Sequence, residues 1–279
     1  MQNIKRTVAL LFIALFIAGC TTKFLYRNID WLATTYIDDF VSLSSEQERM
    51  VELSIERLSE WHKVSELPEY IAHLEELKQV DYSVVDVDWV TNEQERMRLY
   101  SNKLVNKAAP SIYALITQLD DKQVAELLDN LQQKHQDYLE EHDDKSEQEI
   151  RQVYLEKMEE GLEKWVGSLT KEQKALMTDW SQQVMVTYQA RISQNVRMHQ
   201  EFSTLLAKRD NPNYFQLTLT KMLNQPESYY TQELDALIKH NRPLGRQLVA
   251  DTLNSLTPKQ RKHLIGELDS WQQIAKDLQ

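Results

Sequence analysis

The chain has 279 residues, with 32 Lys and Arg against 43 Asp and Glu, and only five Gly, six Pro and one Cys. Glycines this sparse leave no room for a P-loop or a dinucleotide fingerprint, whose backbone N–H groups approach phosphate through clustered Gly, and one Cys excludes an internal disulfide and a cysteine-based zinc site. Few Gly and Pro, with abundant Glu, Gln, Leu and Lys, favour helix over an all-β fold.

At the N-terminus Lys5 and Arg6 precede an apolar run of eleven residues, 8–18. That run is too short to cross a bilayer as a helix, which takes roughly 20 residues, and it matches the apolar region of a secretory signal. Ile17-Ala18-Gly19-Cys20 resembles the lipobox of bacterial lipoproteins. The resemblance implies that residues 1–19 are a cleaved signal peptide and that Cys20 is the lipidation site, carrying a diacylglyceryl group and an acylated amino group. Each buried CH₂ contributes about 0.8 kcal/mol, so the membrane is an expected partner through acylated Cys20. Thr21 stands where many inner-membrane lipoproteins carry Asp, which implies the outer membrane, on its periplasmic face.

Phe24, Tyr26, Trp31, Tyr36 and Phe40 follow at once, with Leu25, Ile29, Leu32, Tyr36 and Phe40 on one helical face. The segment reads as the first core helix of the domain, or else as a helix held against the membrane or a partner. Helix starts are then marked five times by Ser, Thr or Asp followed three positions later by Gln: Ser44 and Gln47, Thr91 and Gln94, Asp120 and Gln123, Thr170 and Gln173, Thr257 and Gln260. This is the spacing of a capping box, in which each side chain satisfies an amide of the other residue. Ser65-Glu66-Leu67-Pro68 opens a short helix to about Val80, and residues 81–89 read as irregular or extended.

Apolar stripes at steps of three and four predict helices through Tyr100–Leu119, Val124–Tyr138 and Ile150–Leu169. The longest stripe, within residues 170–208, predicts a helix of ~58 Å if unbroken. Asp210-Asn211-Pro212 and Gln225-Pro226 are breaks, and Asn241-Arg242-Pro243 is a stop or kink before the last stripe, Leu264 to Leu278. The expected fold is all-α, an elongated bundle of about nine or ten amphipathic helices without a sheet. Residues 20–169 hold 16 Lys and Arg against 32 Asp and Glu, whereas residues 170–279 hold 14 against 11. That divides the mature chain into an acidic half and a near-neutral to basic half, as two lobes or as one continuous helical domain with a polarised face, and the acidic half excludes nucleic acid as a partner.

The acidic stretch 140–149 is the best candidate for a divalent cation, read more simply as a solvated turn with Ser146 and Glu149 as a further capping box. His135 and His199 lie on apolar stripes and read as satisfied core residues. Glu69 with His73, and Glu159 with Glu163, are four apart and could share helix faces. Lys239, His240, Arg242, Arg246, Lys259, Arg261, Lys262 and His263 form a late basic group, suited to anionic lipid or lipid A phosphates, to an acidic partner, or to the acidic half of the same chain. No catalytic, cofactor-binding or metal-ligating motif stands out, and a cell-envelope enzyme with a carboxylate or His site stays open beside a purely structural role.

The order of lipobox, FLYRNIDWLATTYIDDFVSLSSEQ and EWHKVSELPEY resembles an uncharacterised family of Gram-negative lipoproteins. Leu169-Thr170-Lys171-Glu172-Gln173 and Leu256-Thr257-Pro258-Lys259-Gln260 resemble the LTxxQ motif of the Spy and CpxP periplasmic chaperones. These resemblances imply a lipid-anchored periplasmic protein that binds an envelope protein as a scaffold or chaperone-like module.

Overall fold

A computed structural model describes Tyr26, residues 28–140 and residues 145–279. Among them are eleven α-helices and no strand, so the fold is all-α. In chain order the helices are α1 (Ile29–Asp38), α2 (Ser45–Trp61), α3 (Leu67–Lys78), α4 (Val87–Ile116), α5 (Asp121–Glu140), α6 (Glu147–Val166), α7 (Lys171–Gln183), α8 (Tyr188–Ala207), α9 (Pro212–Asn224), α10 (Gln232–Asn254) and α11 (Pro258–Leu278).

The described residues form two units. Unit 1 gathers Tyr26, residues 28–39, residues 43–79 and the C-terminal residues 266–279; unit 2 holds residues 40–42 and 80–265. The change in charge balance at residue 170 falls inside unit 2, between α6 and α7, which pack on each other. The core there is built on Val166, Leu169, Met177 and Leu248, with Leu155, Met158, Leu162, Leu176, Trp180 and Leu256 against it.

Four of the five expected capping boxes form. Ser44 with Gln47, Asp120 with Gln123, Thr170 with Gln173 and Thr257 with Gln260 each make both reciprocal bonds. Ser146 and Glu149 make another. The box at Thr91 does not form: α4 starts one turn earlier, where Asp86 accepts from the Trp89 amide at 2.8 Å, and Thr91 lies inside the helix donating to the Val87 carbonyl. Asp86 wins because its side chain reaches the Trp89 amide, one of the unpaired first-turn amides of a helix that already includes Val87. The irregular stretch before it is a 3₁₀ turn, Tyr82–Val84.

Other expectations are corrected. The segment 170–208 is two helices, interrupted at Val184, where the backbone is extended (φ −66°, ψ 141°). Val184, Val186 and Thr187 are β-branched and lose side-chain freedom in a helix, and the corner is held from outside by α6 and α10. Arg151 of α6 donates to the carbonyls of Ser181, Gln182 and Val184. Asn241 of α10 accepts from the Met185 amide at 2.8 Å and donates to its carbonyl at 2.7 Å. Splitting this stripe adds one helix to the count.

Pro243 stops nothing: α10 runs through it, as α4 runs through Pro110. An internal proline costs about 3 kcal/mol, and α10 recovers it by packing against α4, α7 and α8. Between α2 and α3, where Ser65–Pro68 suggests a fresh start, the helix continues through one π turn, His62–Glu66. Pro68 has no amide to donate, and the wider turn, with Leu67 bonded back to the His62 carbonyl, absorbs the missing bond.

Candidate functional site

The two LTxxQ segments meet in unit 2. Gln173 is 0% exposed and Gln260 4%. Each side-chain oxygen accepts from its own helix's N-cap amide, Thr170 at 2.9 Å and Thr257 at 3.0 Å. Each side-chain nitrogen donates to the other glutamine's oxygen, Gln260 to Gln173 at 2.7 Å and Gln173 to Gln260 at 3.3 Å. The pattern then crosses between loops: Gln260 donates to the Ser168 carbonyl at 3.0 Å, and Gln173 to the Ser255 carbonyl at 3.4 Å and hydroxyl at 3.2 Å. Positions 168, 170 and 173 therefore correspond to 255, 257 and 260 in a reciprocal clasp of two helix–turn–helix units, α6–α7 and α10–α11. Its two glutamine amides are neutral, buried and each bonded through both oxygen and nitrogen. The clasp positions helices; it offers no nucleophile and no proton donor of ordinary acidity.

Gly167 ends α6 beside it with φ 76° and ψ −164°, a region open in practice only to glycine. The ring of His263 lies 3.5 Å from where a Cβ on Gly167 would stand.

Unit 1 contains a second polar centre on α2, the π turn and α3. The Tyr26 hydroxyl and His62 Nδ1 are 3.0 Å apart, and the His62 ring meets Tyr70 edge-on at 5.4 Å between centroids. Burial pushes the Tyr26 phenol up, helped by the Glu60 charge, and burial pulls the His62 imidazole down against the opposing pull of Glu66. Glu66 and His73 are both buried on this side. Glu69, which the spacing offers as the partner of His73, is exposed, one turn before the buried His73.

Farther along α3, Lys78 contacts Glu75 at 2.7 Å, Asp269 at 2.8 Å and the Gln272 oxygen at 3.1 Å. Gln272 in turn donates to the Ile71 carbonyl and to Glu75. Hydrogen bonding to Asp269 and Glu75 holds the Lys78 ammonium above its usual range, and bonding from Lys78 and Gln272 holds the Glu75 carboxyl below its own.

The remaining sequence candidates resolve into structural roles. His135 Nδ1 lies 2.9 Å from Asn195 Nδ2, and His199 Nε2 lies 3.3 Å from the Leu128 carbonyl, so both histidines join α5 to α8. Glu159 and Glu163 do share a face of α6, toward Lys174 of α7 at 3.7 and 3.9 Å. In the late basic group Lys239 pairs with Asp235, His240 meets the Gln183 carbonyl, Arg246 donates to Gln94, and Arg261 reaches the Val80 carbonyl and Asp81. Four of these side chains thus work within the chain. In the acidic stretch, residues 141–144 lie outside the described residues, while Ser146 donates to Glu149 and lowers its carboxyl pKa. Among the described residues no group of three or more His, Cys, Asp or Glu is placed to hold a metal ion. Cys20 lies outside the described residues.

Helix α1 departs from the core-helix expectation. It packs on α2 but buries no residue completely, leaving Trp31 60% and Tyr36 66% exposed. The sequence shows these aromatics but not which face is covered, because that depends on the surface α2 presents. The Arg151–Asn241 corner and the Tyr26–His62 contact were likewise invisible in the sequence. Each joins residues more than thirty positions apart with no local pattern to mark them.

Among the described residues no helix is long and apolar enough to cross a membrane. Comparison with curated proteins and with solved structures finds no match. A family model does match, over residues 39–235, and on that match the chain belongs to DUF6279, a family of unknown function.

Proposed function

We propose that the chain is a lipid-anchored protein of the outer membrane's periplasmic face that binds an envelope protein as a scaffold or chaperone-like module. The address rests on Lys5, Arg6, the apolar run and Ile17-Ala18-Gly19-Cys20, with Cys20 as the acylated residue. The binding role rests on one observation, the large apolar side chains left exposed on the adjacent helices α4 and α9. These run antiparallel, with Tyr113 against Phe215, Asn106 bonded to Asn224 and Arg98 paired with Glu227. Met97 on α4 is 56% exposed and Leu217 on α9 is 75% exposed, with Leu99, Leu104 and Leu223 also exposed. Large apolar side chains kept in water on neighbouring helices suit recognition of an apolar segment of another protein.

The likeness to Spy and CpxP supports the reading of a periplasmic helical scaffold, in which the two motif glutamines, both buried, hold helices together. The test is crosslinking and affinity capture of the acylated protein from its own membranes, read by mass spectrometry, with Cys20→Ala and a Met97→Asp/Leu217→Asp double variant as controls. One partner recovered in near-equal amount, and lost in the double variant, means a dedicated scaffold. A broad set of unfolded envelope proteins means a general chaperone. No recovery above control overturns the binding role and puts an envelope enzyme first.

A further inference from the structure

Helix α1 leaves two large aromatic rings exposed at a limited distance from the proposed anchor, and that distance limits what can cover them. Tyr26 is fastened to unit 1 through its hydroxyl, 3.0 Å from His62 Nδ1, with the two rings 5.9 Å apart. Six peptide steps separate Cys20 from Tyr26, and fully extended they span at most about 21 Å. An acyl chain on Cys20 would therefore hold this part of unit 1 within about 21 Å of the lipid headgroups, whatever path the intervening residues take. Helix α1 begins three residues after Tyr26 and is only ten residues long, roughly 15 Å.

The composition of its open side fits that position. Ile29, Trp31, Thr35 and Tyr36 are exposed. Trp and Tyr are the side chains most at home at a membrane–water boundary, where a ring can sit among headgroups while its N–H or O–H stays hydrated. Ala33 and Ile37, by contrast, are half-buried. Asp30, Asp38 and Asp39 are exposed on the same segment. They oppose deep insertion and disfavour an anionic surface, leaving a shallow seat on zwitterionic lipid.

From this we infer that α1 rests on the bilayer surface with Trp31 in the headgroup layer, so that the anchor and the helix together hold unit 1 against the membrane. The inference rests on the proposed acylation of Cys20. It adds to that reading that the protein touches lipid with its own side chains, and does not merely hang from a fatty-acid tether.

The experiment uses the purified full-length lipidated protein in vesicles of phosphatidylethanolamine and phosphatidylcholine whose acyl chains carry bromine close to the headgroup. Bromine quenches indole fluorescence at short range. The chain has six Trp, and Trp31→Phe should remove more than half of the lipid-dependent quenching, whereas Trp165→Phe, on a partly exposed residue of unit 2, should leave it unchanged. Circular dichroism checks that both variants keep full helix content. The mass of the N-terminal peptide and flotation with the vesicles report the anchor separately. If the protein is acylated and floats but the quenching is the same with and without Trp31, α1 does not touch lipid and the inference fails while the anchor stands. If Cys20 is found unmodified and the protein stays with the soluble fraction, both fail.

Discussion

The Gln173–Gln260 clasp in unit 2 and the Lys78 cluster in unit 1 both fasten helices far apart in sequence, with opposite chemistry. The first uses neutral amides removed from water, each bonded to its own helix start and to its counterpart. The second uses a largely covered ammonium whose carboxylate partners, Glu75 and Asp269, are more than half exposed. A buried amide that loses its partner meets no water to replace it, so breaking the first exposes the full desolvation cost. Carboxylates at the surface fall back on solvent, so the second is weaker and responds to salt and acid.

That contrast can be tested in order of effect. Gln173→Ala strands the Thr170 amide and half of Gln260 in the core, and should cost about 3 kcal/mol in denaturant unfolding. Gln260→Ala should match it, and the double variant should cost much less than the sum, because each single change already breaks the reciprocal pair. Additive costs would mean two independent caps and no clasp. Gly167→Ala should cost about 2 kcal/mol through its backbone conformation alone, since the nearest atoms of His263 are at ordinary contact distance. No loss in that variant would show that α6 can end another way.

A smaller step separates a working helix cap from one that the sequence only imitates. Asp86→Ala should cost about 1 kcal/mol. Thr91→Ala should cost a few tenths at most, because Thr91 caps nothing and Ala is the better helix former. Equal costs would put the start of α4 back at Thr91.

The ionic cluster should give the smallest change at neutral pH, with a distinctive pH signature. Because the folded Glu75 carboxyl titrates below its unfolded value, its contribution is complete above the ordinary glutamate range, about pH 4.3, and is lost as pH falls through the lowered value. The Lys78 ammonium is held up, so its contribution is lost only as pH rises through the raised value. Lys78→Met should flatten the acid limb of the stability curve and remove part of its salt dependence, whereas Gln173→Ala should alter neither. At the alkaline end, burial pushes the Tyr82 phenol up to about 12, against the edge of Trp89. Absorbance titration should show a late-ionising tyrosine that Tyr82→Phe removes.

Much of the fold could be read locally. Of the five places where Ser, Thr or Asp precedes Gln by three, four form the box, because capping is settled within one turn of chain. The failures had non-local or competing causes. Asp86 outbid Thr91 for the start of α4, and the packing of α10 carried it across Pro243. The stripe through Val184 broke where Arg151 and Asn241 could satisfy an extended backbone. The displaced titrations of Tyr26, His62, Lys78 and Tyr82 were not legible in the sequence. Those displacements come from burial and from partners on other helices.

By itself the sequence determined helix as the building material, most of the helix starts, and the signal-like N-terminus, because propensity, capping and hydrophobic runs act over a few residues. Tertiary structure decided that two distant LTxxQ segments close on each other, that a continuous stripe becomes two helices, and that α1 keeps Trp31 and Tyr36 outside. Those outcomes depend on which surfaces meet, and a buried amide or an exposed ring is defined only once the neighbouring helix has arrived.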